Sequence, residues 1–217
     1  MKYDITSVDW NPEQTKLWLH YVKKNCPEAY VTLIPDEKPV PWCWSGGKLN
    51  CFRQKFETDK IIYIDTDTIV TEDLGFIFAN MGDNWLGLSS KIPLIPFNKR
   101  PDMKKKLAHL GKLPIHYSSG MVSLNGISGA QAEQFTGLWE EIMTELKKII
   151  GKEHYMDEIA LSYVASLAAV WDILLEVHGN ICRKKYFGSA ETPSVIHYHR
   201  TKRLDQAGMG GYLCIEK

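Results

Sequence analysis

The sequence predicts an α/β domain, a mostly parallel twisted sheet with helices on both faces, with residues 1–217 as a single unit. Three features predict it. An unbroken apolar run, Ile61-Ile62-Tyr63-Ile64, ends on Asp65-Thr66-Asp67; a short apolar run bounded by polar residues marks a strand buried on both faces. A strand–helix–strand pattern fills residues 2–34, the order of a parallel crossover unit. Residues 128–151 hold Phe135, Leu138, Trp139, Ile142, Met143, Leu146, Ile149 and Ile150 at helical spacing, a long amphipathic helix with one core-facing stripe.

In chain order, residues 2–8 read as the first strand. Asn11-Pro12-Glu13 starts a helix, with proline at a first position that needs no amide donor. Leu17, Trp18, Tyr21 and Val22 continue it to Cys26-Pro27, where proline discourages further helix. Residues 30–34 form the second strand, and 39–47 an aromatic, glycine-rich loop. Residues 48–56 predict a helix leading into the central strand at Lys60. After the aspartates come a short helix over 72–80 and a strand over 85–89.

Residues 91–116 differ in composition, with four prolines and a basic cluster of Lys99, Arg100, Lys104, Lys105 and Lys106. A connection of this length reads as a surface loop or as a flap over an anionic ligand. Residues 117–125 predict another buried strand, in which Gly120 permits close backbone approach. Ser128 with Gln131 forms a capping box for the long helix, which Gly151 ends. A further helix follows Asp157-Glu158, and strands are expected over 171–177 and 194–196.

Composition excludes several classes. Acidic and basic residues balance at 26 each, which gives no basic excess for nucleic acid. Apolar residues make up 44% and aromatics 11%, a globular balance. The five cysteines form no Cys-X-X-Cys pair, so free thiols in a reducing, cytoplasmic compartment are expected and a zinc site is not. No secretory leader is predicted, since residues 1–10 carry charge and no apolar h-region, and no stable membrane span, since no apolar run approaches 18 residues.

The chemistry concentrates at Asp65 and Asp67. On an extended strand residues i and i+2 face one side, so a strand that continues to Asp67 places both carboxylates together at its carboxyl end. Ligands bind at that end of open α/β sheets. Two adjacent carboxylates repel unless a cation lies between them, and a divalent ion with phosphate oxygens suits the pair.

Gly47-Lys48-Leu49, Tyr63-Ile64-Asp65-Thr66-Asp67-Thr68-Ile69-Val70, Ser118-Ser119-Gly120-Met121-Val122, Asp157-Glu158, and Ile196-His197-Tyr198 with Lys202 or Arg203 occur in this order. The chain thereby resembles retaining family 8 glycosyltransferases, the group of glycogenin and the bacterial lipopolysaccharide galactosyltransferases. That resemblance covers nearly the whole chain and implies a nucleotide-diphospho-sugar transferase domain of the glycosyltransferase A type. It implies that Asp65, Asp67 and His197 bind Mn2+ (or Mg2+), and that Lys48 reaches the sugar or a phosphate. Asp65 would also touch the ribose, and Lys202 or Arg203 would neutralise the leaving diphosphate. Asp157 would hold donor-sugar hydroxyls, and Glu158 stands where the family has an amide near the anomeric carbon. Ser7, Val8 and Asp9 would meet the base and ribose. Ser118, in place of the family's asparagine, and Ser119 complete the donor contacts. The acceptor stays open: a saccharide, a lipid-linked glycan or a protein.

Two other readings use the same residues. A sugar nucleotidyltransferase would carry a glycine-rich phosphate loop after the first strand, and Ser7-Val8-Asp9-Trp10-Asn11-Pro12 has no glycine. A non-catalytic sugar-nucleotide binder would keep the binding residues without turnover. It is favoured by the tail after His197, which lacks the glycine, proline and tryptophan of the family pattern.

Overall fold

The computed structural model describes residues 1–38, 40–43, 45–90, 105, 117–151, 156–168, 174–176 and 194–198. Strand β1 (Tyr3–Asp9) is buried along all but its last residue. Helix α1 (Pro12–Asn25) opens where predicted. The Asn11 side chain accepts from the amides of Glu13 at 3.0 Å and Gln14 at 3.3 Å, satisfying two donors that a helix start leaves unpaired. Strand β2 (Ala29–Pro35) returns parallel to β1, as expected of a crossover.

Helix α2 (Lys48–Cys51) is shorter than predicted. The amides of Glu57 and Thr58 bind the Asp4 carboxylate at 3.2 and 2.8 Å, so the chain leaves the helical path before Phe56. The central strand β3 (Lys60–Ile64) stops before the aspartates, and β4 (Thr68–Val70) follows as a separate strand. Helix α3 (Phe76–Met81) begins later than residue 72. The side chain of Asp73 accepts from Gly75 N at 2.7 Å and forms a local turn first.

Strands β5 (Leu86–Ser90) and β6 (Tyr117–Asn125) flank the segment 91–116, which lies outside the described residues except for Lys105. Helices α4 (Gly129–Ile150) and α5 (Met156–Ala168) follow, then β7 (Leu174–Glu176) and β8 (Val195–His197).

Among the described residues the main sheet has the order β2-β1-β3-β6-β5-β7, and β4 pairs with β8 in a second sheet. The β1–β2, β1–β3 and β5–β7 pairs are parallel, whereas β6 runs antiparallel to both β3 and β5. The expected mostly parallel sheet is borne out: five of the six strands run one way, and β6 alone is reversed, beside the centre.

The unbroken apolar run of β3 has a simple cause. Ile61 and Tyr63 enter a core with α4 and α5, while Ile62 and Ile64 enter a second core with α1 and α3. Both faces are covered by helices, as predicted, so neither face selects polar residues. The stripe of α4 is buried at Phe135, Trp139, Met143, Leu146 and Ile150. Ile149 departs from expectation and is 40% exposed. Ile150, about 100° further round the helix, takes the core-facing position instead. Cys26, Cys43 and Cys51 are buried free thiols, and Cys182 and Cys214 lie outside the described residues.

The capping box of α4 is complete: Gln131 N donates to Ser128 Oγ at 3.3 Å and Ser128 N to Gln131 Oε1 at 2.8 Å. Ser128→Ala is expected to cost about 1 kcal/mol, a fall of roughly 2–4 °C in Tm by calorimetry. An unchanged Tm would show that packing alone sets this helix start.

Candidate active site

The central strand does not stay extended to Asp67, contrary to expectation. Asp65 adds one more rung against β6 through Asp65 N to Gly120 O at 2.9 Å. Thr68 Oγ1 then donates to Asp65 O at 2.7 Å and closes a turn. The two carboxylates nevertheless converge, because β8 pairs with β4 and sets His197 opposite Thr68. Tyr198 N donates to Asp67 O at 3.0 Å and locks that register. One ligand atom each from Asp65, Asp67 and His197 lies within 4.8 Å of the others. His197 Nε2 stands 2.9 Å from Asp67 Oδ1 and 3.9 Å from Asp65 Oδ2.

Gly120 forms the floor of this group. A Cβ there would sit 3.1 Å from Asp65 Oδ2 and 3.1 Å from the His197 ring. The absent side chain is what lets β6 pass so close beneath the ligands.

Next to the three lies a buried charge cluster. The first turn of α5 supplies Asp157 and Glu158, 4% and 7% exposed. Trp139 Nε1, from α4, donates to Asp157 O at 2.9 Å and holds that turn in place. Helix α2 supplies Lys48, whose Nζ lies 3.1 Å from Asp65 Oδ1, 3.3 Å from Asp157 Oδ2 and 2.9 Å from Ser119 Oγ. Ser119 Oγ in turn donates to Asp157 Oδ2 at 2.5 Å. Tyr63 donates its hydroxyl to Asp65 Oδ1.

These groups shift one another. Burial alone would pull the Lys48 ammonium down, but the charges of Asp65 and Asp157 outweigh it and hold the pKa above the usual lysine value. For His197, burial again opposes the charged form, yet Asp67 and then Asp65 win and raise the imidazole. Burial, reinforced by the Asp65 charge, keeps the Tyr63 phenol protonated well past its usual range. Cys51, behind Lys48, is pushed up to about 12 by burial and is not a nucleophile at neutral pH.

Of the other residues singled out in the sequence, Ser7, Val8 and Asp9 sit at the carboxyl end of β1. Ser7 Oγ donates to Ile64 O at 2.5 Å, Val8 is fully buried, and Asp9 Oδ1 accepts from Thr15 Oγ1 at 2.6 Å. Ser118 Oγ accepts from Gly120 N at 3.2 Å. Lys202 and Arg203 lie outside the described residues. Sequence reasoning missed Tyr63, although its position two residues before Asp65 on one strand face pointed to it.

Four carboxylates, Asp65, Asp67, Asp157 and Glu158, thus surround one ammonium and one imidazole. The mixed oxygen and nitrogen donors of Asp65, Asp67 and His197 fit a divalent ion such as manganese or magnesium.

No protein-family profile matches the chain, and no curated protein matches it in sequence. Solved structures do match. The galactosyltransferase LgtC, solved with donor and acceptor sugar analogues, is 14% identical at a TM-score of 0.59, covering 96% of this chain and 95% of that one. The fold is that of the glycosyltransferase A type. Mouse xyloside xylosyltransferase 1 is 11% identical at a TM-score of 0.56, covering 91% of this chain and 97% of that one. The glycosyltransferase GlyE of Streptococcus pneumoniae TIGR4 is 14% identical at a TM-score of 0.59; it matches all of this chain over 61% of its own length. The fold implied by the motif resemblance is therefore borne out, and these similar structures are all glycosyltransferases.

Proposed function

We propose that the chain is a metal-dependent retaining glycosyltransferase that moves a hexose from a nucleotide-sugar, linked to uridine diphosphate, to an acceptor hydroxyl. The observation that carries this reading is the convergence of Asp65, Asp67 and His197 beside the Lys48–Ser119–Asp157 cluster. Breaking the anomeric bond builds negative charge on the leaving diphosphate while the sugar becomes oxocarbenium-like. Asp65, Asp67 and His197 would hold Mn2+ (or Mg2+), which supplies positive charge where the diphosphate's charge develops.

The chain's own residues do the rest. Asp157, pinned at one oxygen by Ser119, presents the other to donor-sugar hydroxyls. Glu158 stands near the anomeric carbon, where its carboxylate stabilises the developing cation or attacks it. Ser7, Val8 and Asp9 border the base and ribose, Ser118 and Lys48 the sugar, and Lys202 or Arg203 the leaving diphosphate. The acceptor is a saccharide, a lipid-linked glycan or a protein, and the compartment is cytoplasmic. Among the described residues no helix is long and apolar enough to cross a membrane.

A thermal-shift panel of nucleoside diphosphates and nucleotide-sugars, each with and without Mn2+, tests the reading. A ligand at one hundred times its Kd stabilises the folded state by about 2.7 kcal/mol, a rise of several degrees in Tm. The expected result is a rise with uridine diphosphate that requires Mn2+. Metal takes the neutral imidazole, and His197 is raised. The Mn2+-dependent rise is therefore largest above that raised pKa and shrinks as pH falls below it. A rise with nucleotide that ignores metal would favour a degenerate binder.

A further inference from the structure

We propose that Tyr63 is a positioning residue of the metal site: its hydroxyl fixes the Asp65 carboxylate so that Oδ2 is the oxygen turned toward the ion. The inference rests on the reading of Asp65, Asp67 and His197 as metal ligands. The two oxygens of Asp65 have different surroundings. Oδ1 receives the Tyr63 hydroxyl and lies 3.1 Å from Lys48 Nζ. Oδ2 lies 3.9 Å from His197 Nε2, above the Gly120 floor. Lys48 does not distinguish the two, since its Nζ also lies 3.3 Å from Oδ2. An ammonium is a compact charge with rotatable donors on a flexible stem. A phenol hydroxyl on a fixed ring is directional.

The ring of Tyr63 is fixed. It is fully buried, tilted against Phe52 at 6.0 Å between centroids, and capped on a face by Lys48 Nζ at 5.6 Å. Strand alternation sets Tyr63 and Asp65 on one side, so backbone geometry itself aims the hydroxyl at the carboxylate. A carboxylate torsion is broad and roughly two-fold when nothing holds it. The Tyr63 bond removes that freedom at one oxygen and leaves the other facing Asp67 and His197. Partners that orient a ligand in this way typically change metal affinity by about 10–100-fold.

The test is Tyr63→Phe in the full chain, which deletes the hydroxyl and keeps the ring. Mn2+ binding is measured without nucleotide, from the loss of the free-ion electron paramagnetic resonance signal, alongside the Tm of metal-free protein. The expected result is about tenfold weaker Mn2+ binding. The metal-free protein should keep one cooperative transition within about 5 °C of wild type. Raising Mn2+ should restore donor hydrolysis, which a damaged fold would not allow. Equal Mn2+ affinity in Tyr63→Phe and wild type overturns the inference and leaves the proposed function standing. Loss of the cooperative transition also overturns it, since the hydroxyl would then hold the fold. A wild-type chain that binds no Mn2+ defeats the functional reading, and this inference with it.

Discussion

Asp67→Ala is expected to lower Mn2+-dependent kcat/KM for donor hydrolysis by about 10³-fold, roughly 4 kcal/mol of transition-state stabilisation. The argument starts from where Asp67 sits. Its side chain is 22% exposed, and its Oδ1 lies 2.9 Å from His197 Nε2. The backbone bond from Tyr198 N to Asp67 O survives the substitution, and His197 can shed its proton when its partner is lost, so the fold loses little. Removing Asp67 nevertheless leaves the ion with Asp65 and His197 alone. Metal-free Tm should therefore stay within a few degrees of wild type while the Mn2+-dependent rise with uridine diphosphate disappears. Asp67→Asn keeps one oxygen without the charge and should fall between the two. Full Mn2+-dependent turnover in Asp67→Ala would remove these residues from the chemistry and with them the proposed function.

The sequence made the scaffold legible and the turn at its centre illegible. Ile61 to Ile64 could only be a strand covered on both sides, and the two cores that receive alternate residues bear this out. The start of α1, the limits of β6 and the capping box of α4 were readable for the same reason: each is settled by residues close in sequence. The break after Asp65 was not. Thr66, Thr68, Ile69 and Val70 are β-branched and favour extended chain, so the run reads as one strand. What splits it is the bond from Thr68 Oγ1 to Asp65 O together with distant partners, namely the pairing of β4 with β8 and the bond from Tyr198 N to Asp67 O. Strand direction was equally hidden. A strand buried on both faces looks alike whichever way it runs, and β6 runs antiparallel to β3. Asp157 and His197 entered through motif order and not through any local signal. The structure then joins Asp157 to Lys48 and Ser119, and His197 to Asp67.

Lys48→Met should be the most destabilising single change at this site. Lys48 is 6% exposed, and its ammonium lies between Asp65 and Asp157, 3.1 and 3.3 Å from their carboxylate oxygens. Methionine fills a similar volume and keeps the ring of Tyr63 covered, so packing is largely preserved. What disappears is the counter-charge. Stripping one partner from a buried ion pair typically costs about 3–5 kcal/mol, because the remaining charge stays desolvated. For a chain of this size that is roughly 10 °C or more in Tm. The sign over pH follows from the raised lysine. The stabilisation is fully present below the unfolded lysine value of about 10.4 and is lost only above it. The lysine's own contribution should therefore be constant across neutral pH. Mn2+ gives a second, opposite expectation. The field of Lys48 reaches the metal site, where it opposes the positive charge of His197. An ion beside Asp65 meets that same repulsion in the wild type and is free of it in Lys48→Met. Saturating Mn2+ should thus raise the mutant Tm by more than it raises the wild type, narrowing the gap between them. Calorimetry of both proteins at neutral pH, with and without Mn2+, measures the two effects together. A deficit that Mn2+ leaves unchanged would mean that Lys48 serves Asp157 and the α5 start alone. A mutant as stable as wild type would mean that water, not the ammonium, neutralises this cluster.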